Sequence, residues 1–316
     1  MPSSKTQPLV SVISAAHNVE KYIGETIESI QKQTYPNWEL IIADDASTDN
    51  TVSVVESYIR RDQRIKLIRR NVSGGGPGPA LNDATALAKG VYVAIQDSDD
   101  ISLPTRLDEE VAFLEKHKEY AGVSCSVELM SEDGSTILGI KRKSTDQTLL
   151  LFLLLLRPQF IHGSMLVTKQ ALTDIGGYDP AYVPVDDYEI QCRLVQKGKA
   201  LANLDSVLYK YRMRGASITH HESFAPRAAT LVIDIIQNNI IPYFSISKAE
   251  ADMLLQYIID KPLRFWETLA SIRLHRKLAR MYISKNNIPK KEAAKILTFY
   301  KNERNHHIRS YIKRYA

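Results

Sequence analysis

Trp38-Glu39-Leu40-Ile41-Ile42-Ala43 runs directly into Asp44-Asp45, and Ser47-Thr48-Asp49 follows after one alanine. A largely apolar run of this length predicts a strand buried on both faces. The hydroxyl and carboxylate residues after it supply caps for a helix whose Val52, Val55 and Ile59 face inward. The same unit recurs on either side. Upstream, Leu9–Ser14 reads as a strand, and Asn18 is placed to cap a helix with Val19, Ile23, Ile27 and Ile30 on one stripe. Downstream come a third strand at Ile65–Ile68, a glycine-rich loop at 73–78, a helix around Ala80–Ala88 and a fourth strand at Val91–Ile95. Strands alternating with helices predict an α/β fold with a mostly parallel, Rossmann-like sheet flanked by helices. Ligands bind such sheets beyond the carboxyl ends of the strands. That rule selects the loops holding Ala15–Asn18, Asp44-Asp45, the glycines and Asp97-Ser98-Asp99-Asp100.

Beyond Pro104 the pattern changes. A helix around Leu107–Lys116 precedes a hairpin of Val123–Met130 and Thr136–Ile140. Leu149–Leu156 is expected as a buried helix between Asp146 and Pro158, being too short to span a bilayer. Phe160–Thr168 is expected as a strand, Asp186–Lys197 as a helix and Leu201–Tyr211 as an extended segment. From about Glu222 the pattern is helical only.

The 316 residues carry 41 Lys+Arg and 36 Asp+Glu, but the charge is divided. Pro262 to Ala316 holds 14 basic and 3 acidic residues, a balance of +11, against −6 for Met1 to Lys261. An acidic body with a basic tail points the tail at phosphate-rich surfaces. The tail reads as two basic amphipathic helices. The first has Leu263, Trp266, Leu269 and Ile272 on its stripe, and the second has Ile296, Tyr300, Ile308, Tyr311 and Ile312. These suit either an anionic membrane or packing on the body or a second subunit. Two cysteines, Cys125 and Cys192, exclude a disulfide framework and favour a reducing compartment. MPSSKTQPLV has no apolar core of signal-peptide length.

Three carboxylates within four residues, Asp97, Asp99 and Asp100, would raise one another's pKa unless a hard divalent cation relieved the conflict. The alternative is an acidic turn capping the next helix. Asp44-Asp45 could accept from a ribose or base, or cap the following helix. Asp186-Asp187 opens a helix, where acidic residues complement the dipole, or could present a general base to a cleft. His162 reads as a structural histidine. Arg212 and Arg214, with Ser217 and His220, could meet a diphosphate or be solvated. The glycine-rich loop is neither a P-loop nor GxGxxG and reads as a flexible connection.

These motifs together resemble family 2 glycosyltransferases. The resemblance is carried by Pro8–Asn18, by Gln33–Asp49, by Ala88-Lys89-Gly90 leading into Asp97-Ser98-Asp99-Asp100 and Leu103-Pro104, and by His162-Gly163-Ser164. It continues through Gly176-Gly177-Tyr178-Asp179, Asp186-Asp187-Tyr188-Glu189 and Tyr211-Arg212 with Ser217–His220. It covers about Pro8 to His221 and implies a GT-A domain at 1–221 with a helical C-terminal extension at 222–316. It further implies a nucleotide-sugar donor, UDP-sugar favoured, a divalent metal (Mn²⁺ or Mg²⁺) and inversion at the anomeric carbon. By position, Ala15 and His17 would line the base, and Asp44 and Asp45 would bind uracil or ribose. Asp99 would hold the metal, and Asp97 would contact the ribose or support the metal. Asn82 and Ser98 are carried over as donor contacts, and Asp187 as the catalytic base. Two departures stand out: relatives' Ala-Arg-Asn is Ala80-Leu81-Asn82 here, and Arg214 stands where a histidine is common. Glu189–Leu194 lacks the Gln-x-x-Arg-Trp of processive synthases. The expected setting is cell-surface glycan assembly by a cytoplasmic enzyme, with attachment to the inner membrane face and packing on the body or a second subunit both open to its basic helices. A glycan or lipid-linked glycan is the acceptor, no nucleic acid is bound, and a homo-oligomer stays open. A non-catalytic scaffold or a nucleotidyltransferase on the same sheet are the competing readings.

Overall fold

The computed structural model describes residues 7–73, 76–215, 225–250, 252, 265–299 and 301–302. Its contacts divide the chain into two units, Met1–Thr145 with Phe160–Ala225, and Asp146–Gln159 with Pro226–Ala316. The helix at Leu149–Leu156, which the sequence places inside the first 221 residues, thus belongs to the second unit.

The first unit is built on a nine-stranded sheet. Strands β1 (Val10–Ala16), β2 (Trp38–Asp44), β3 (Ile65–Arg69) and β4 (Tyr92–Ile95) pair in parallel in the order β3-β2-β1-β4. Helices α1 (Ile23–Gln31), α2 (Thr51–Ile59) and α3 (Pro77–Leu87) make the connections. All seven residues of β2 are buried, as its apolar run requires. Val12, Leu40, Ile42, Ile23, Ile27, Ile30 and Val55 share one hydrophobic cluster with Ile59 packed against it, so the expected α1 stripe is buried, while on α2 Val52 is half-buried and lies outside the cluster.

The expected cap at Asn18 is not made. Helix α1 starts at Ile23 with no side-chain cap, and Asn18 has a left-handed φ of 52°. Its Oδ1 instead accepts from the Thr48 N–H at 2.8 Å, which ties the β1–α1 loop to the β2–α2 loop. Asp49 does serve α2, accepting from the Thr51 N–H at 2.9 Å.

The second half of the sheet is mixed rather than parallel. Strands β5 (Ile101–Ser102), β6 (Tyr120–Met130), β7 (Ile137–Lys141), β8 (Leu166–Thr168) and β9 (Ala200–Arg212) extend it in the order β4-β8-β6-β9-β5, with β7 hairpinned on β6. β8 runs antiparallel to both β4 and β6, whereas β9 runs parallel to β6. Helix α4 (Arg106–Lys116) packs on β6. The strand expected over Phe160–Thr168 is broken by a 3₁₀ turn at His162–Ser164. There the Ser164 hydroxyl donates to the Ile161 carbonyl at 2.9 Å and pairs with the Ser124 hydroxyl at 2.9 Å, drawing the chain out of register. Between β8 and β9 lie α6 (Lys169–Asp174) and α7 (Asp186–Gln196).

The second unit contains α5 (Gln147–Leu154), capped by Asp146 accepting from the Leu149 N–H at 3.1 Å, with α8 (Ala225–Phe244) and α9 (Phe265–Lys285). Phe152 meets Tyr282 edge-on at 5.0 Å between ring centres. In α9, Leu274, Leu278 and Tyr282 are buried while Arg273, Arg276, Lys277 and Arg280 are exposed. Ile296 is buried as expected. The side chains of Leu263, Trp266, Leu269, Ile272, Tyr300, Ile308, Tyr311 and Ile312 lie outside the described residues, as do Ser217 and His220. No described helix is long and apolar enough to cross a membrane.

Candidate active site

Two clusters form at the carboxyl ends of the strands. The first lies where β1 and β2 end. Ala15 is half-buried on β1, and the exposed His17 places its Nδ1 2.8 Å from the Asp45 carbonyl. The Asp45 carboxylate is buried, ion-paired with Arg70 and accepting from the Ser73 hydroxyl at 2.6 Å. Arg70 continues to Asp83 at 2.9 Å. Asp44 accepts from the Ser47 N–H through Oδ2 at 3.1 Å, while its buried Oδ1 has no partner among the described residues. An orphaned buried carboxylate oxygen costs free energy and marks where a donor group from a ligand would be taken up.

The second cluster begins in the loop after β4. Burial and the neighbouring Asp99 and Asp187 carboxylates push Asp97 up to about 7. Its own N–H donates to the Tyr209 hydroxyl at 3.1 Å. Asp99 is ion-paired through Oδ2 with Arg214 Nη1 at 2.7 Å. Asp100 is buried, its Oδ1 accepting from the Arg212 N–H at 2.7 Å and its Oδ2 unpartnered among the described residues. Burial lifts its carboxyl well above the usual range. Ser98 is also buried, and its carbonyl accepts from the Thr26 hydroxyl at 3.0 Å. The chemistry of the set fits a hard divalent cation. Asp97 and Asp99 are two carboxylates in mutual repulsion, and no group of three ligating side chains exists among the described residues. Such a pair suits an ion that completes its shell with water and substrate oxygens rather than a closed cage.

The loop before α7 and the 3₁₀ turn at His162–Ser164 bring the remaining groups to this cluster. His162 Nε2 meets the Tyr178 hydroxyl at 2.8 Å, and its Nδ1 lies 4.0 Å from Asp97 Oδ1. Burial lowers the His162 pKa against the pull of Asp187 and Asp186, so the ring is neutral near pH 7. Position 163 must be glycine, because a Cβ there would collide with the Asp97 carboxylate and the Tyr209 hydroxyl. Asp187, the second residue of α7, is half-buried and accepts from the Tyr188 N–H at 2.8 Å. Asn82 spends its amide on the backbone of Tyr178, donating to its carbonyl and accepting from its N–H, each at 2.8 Å. It therefore anchors the Tyr178 loop to α3.

Asp186 is buried against Gly78, where any side chain would strike its Oδ2. Burial and Asp187 push it up to about 6 despite His162. A carboxyl whose pKa is raised on folding contributes stability below its unfolded value and loses it as pH rises through the folded one. Asp186→Asn is therefore expected to gain on the wild type between pH 4 and pH 7.5, by up to about 3 kcal/mol for a shift of about two units. Thermal melts of both proteins at the two pH values measure this; a difference independent of pH contradicts it.

Several residues of the site carry no sequence signal of their own. Arg106 is fully buried, donating to the Ile95 carbonyl at 2.9 Å, to Gln96 Oε1 at 3.1 Å and to the Ser102 hydroxyl at 2.9 Å. It thereby holds the strand end that delivers the Asp97 loop. Its readable trace is Glu110 one turn on, a spacing that more often marks a solvated helix face. Arg70, which holds the Asp45 carboxylate, is equally inconspicuous in the sequence.

Comparison with known proteins identifies the family and the fold. The chain is 34% identical to EpsE of Bacillus subtilis (strain 168) over 284 residues, covering 85% of this chain and 94% of that one. It is 31% identical over 219 residues to the Escherichia coli UDP-Glc:alpha-D-GlcNAc-diphosphoundecaprenol beta-1,3-glucosyltransferase WfaP, covering 67% of this chain and 80% of that one. Among solved structures, the mannosyltransferase PcManGT from Pyrobaculum calidifontis, in complex with GDP-Man and Mn²⁺, superposes with a TM-score of 0.58 at 19% identity, covering 95% of this chain and 84% of that one. This likeness establishes a shared GT-A fold. The description Glycosyl transferase family 2 matches residues 11–175, and with that match and the extent of the likeness to EpsE, the chain belongs to this glycosyltransferase family.

Proposed function

We propose that this glycosyltransferase moves a sugar from a UDP-sugar to the hydroxyl of a lipid-linked glycan in cell-surface polysaccharide assembly, with inversion at C1. The observation that carries the reading is that Asp187, at the start of α7, lies near enough to the Asp97-Ser98-Asp99 loop after β4 that both Asp99 and Asp187 raise the pKa of the Asp97 carboxyl. The β1/β2 cluster is assigned to the nucleoside, with Ala15 and His17 beside the base and Asp44 and Asp45 toward uracil or ribose. WfaP, by its name, uses UDP-Glc and a diphosphoundecaprenol-linked acceptor, which favours the same classes here. Ser98 and Asn82 support donor binding indirectly, one from within the Asp97 loop and one through Tyr178.

Asp187 takes the proton from the acceptor hydroxyl as its oxygen attacks C1. The C1–oxygen bond to the diphosphate breaks on the opposite face, and the electron pair leaves with the nucleotide. Neutral His162 and Tyr178 wall this space. Asp99, supported by Asp97, would hold a Mn²⁺ or Mg²⁺ ion, which supplies charge neutralisation to the diphosphate. The enzyme would work at the cytoplasmic membrane face, where the exposed cations of α9 are suited to anionic lipid.

A donor screen tests this. UDP-, GDP- and dTDP-sugars are incubated with the protein and Mn²⁺, and slow hydrolysis and thermal shift are recorded. UDP-sugars are expected to give both responses. A blank for every nucleotide would favour a non-catalytic scaffold instead.

A further inference from the structure

Two arginines close β9 and its continuation, and their surroundings differ. Every nitrogen of Arg212 is engaged. Its N–H donates to Asp100 Oδ1, its Nε to the Asp99 carbonyl at 2.7 Å, its Nη1 to the Glu132 carbonyl at 2.9 Å, and its Nη2 pairs with Glu25 at 2.7 Å. Arg214 differs. Among the described residues its Nη1 holds Asp99 Oδ2 at 2.7 Å, while its buried Nε has no acceptor. A guanidinium presents five N–H donors in a planar fork suited to phosphate, so Arg214 is left with unused capacity beside the metal-motif carboxylate. It also has a seat that does not depend on Asp99. The guanidinium lies over the Tyr22 ring, 4.7 Å from its centre, and the Tyr22 hydroxyl is fixed on Glu132 at 2.9 Å.

We propose that Arg214 is a resident counter-ion that hands Asp99 over. It neutralises Asp99 while the donor site is empty, and moves its fork to the diphosphate when a nucleotide-sugar arrives, which frees Asp99 Oδ2 for the divalent cation. The idea rests on the reading above, in which Asp99 is the metal ligand. A cation arriving alone must break the Arg214–Asp99 pair and strand a partly buried guanidinium. A diphosphate arriving alone withdraws the arginine and leaves Asp97 and Asp99 in repulsion. Each event removes the cost of the other, so metal and nucleotide bind cooperatively, and the coupling is reciprocal. The outcome is a site that takes up little free metal until a donor is present.

Calorimetric titration reads this without turnover. Mn²⁺ is titrated into the full chain with and without saturating UDP, and UDP with and without Mn²⁺, for the wild type, Arg214→Gln and Arg214→Lys. Arg214→Gln is expected to bind Mn²⁺ alone at least about fivefold more tightly than the wild type, and its UDP–Mn²⁺ coupling to shrink by at least about fivefold. Arg214→Lys keeps the charge and is expected to bind Mn²⁺ alone nearly as weakly as the wild type. Equal Mn²⁺ affinity in wild type and Arg214→Gln, or unchanged coupling, overturns the proposal while leaving the glycosyltransferase reading intact. A wild type that binds no UDP even with Mn²⁺ overturns both.

Discussion

Asp187→Asn is expected to lower sugar transfer by about 10²–10⁴-fold, the usual contribution of a positioned general base. Nucleotide binding should be unchanged. The two carboxylates at the start of α7 differ in exposure, which favours Asp187 for the proposed role. Asp186 is buried against Gly78, which keeps an incoming hydroxyl away from its carboxylate. Asp187 is half-buried beside Asp97 and His162 and keeps part of its carboxylate open to solvent. The amide of asparagine occupies the same space but accepts no proton. Kinetic assays with calorimetry of UDP binding separate the outcomes. Transfer at the wild-type rate removes Asp187 from the base role, and loss of UDP binding shows that it holds the donor.

Arg106→Ala is expected to destabilise the first unit by about 3–5 kcal/mol, the scale for removing one partner of a buried ion pair. The side chains of both Arg106 and Glu110 are fully inaccessible. Burial already pushes the Glu110 carboxyl up, with Arg106 opposing the shift. Without the arginine, Glu110 and Gln96 Oε1 lose a charged donor, and the Ile95 carbonyl loses its side-chain bond. Replacing both members of the pair with methionine should restore much of the loss, because no charge is then stranded. Denaturant midpoints of the single and double variants decide this. A single variant as stable as the wild type shows that the pair contributes little.

The parallel half of the sheet was legible because each strand and its helix are neighbours in sequence, so local periodicity carries the pairing. The mixed half was not. β8 is three residues long and lies between β4 and β6 through contacts about 40 to 75 residues distant, which no short window contains. The clustering of Asp97, Asp99 and Asp100 past an apolar strand was legible directly, but the residues alone left a metal site and an acidic turn open, and only the family resemblance favoured the metal. Asp187 needed the ordered set of motifs, since alone it is indistinguishable from a residue complementing a helix dipole. Asn82 shows the opposite failure. Its place in the motif suggested a donor contact, but its hydrogen bonds go to the Tyr178 backbone, a pairing visible only once α3 and the Tyr178 loop are adjacent. Asp45 was read correctly as a polar group at the strand edge, yet Arg70 and Ser73 already occupy its carboxylate, and neither stands out in the sequence.

In the proposed reaction Asp99 makes nucleotide binding depend on metal. The most direct measurement of this dependence is calorimetric titration of UDP, with and without Mn²⁺, into the wild type and Asp99→Ala. Mn²⁺ is predicted to tighten UDP binding to the wild type, whereas the two isotherms of Asp99→Ala should superpose. An Asp99→Ala protein whose UDP affinity Mn²⁺ raises as much as in the wild type would contradict the account.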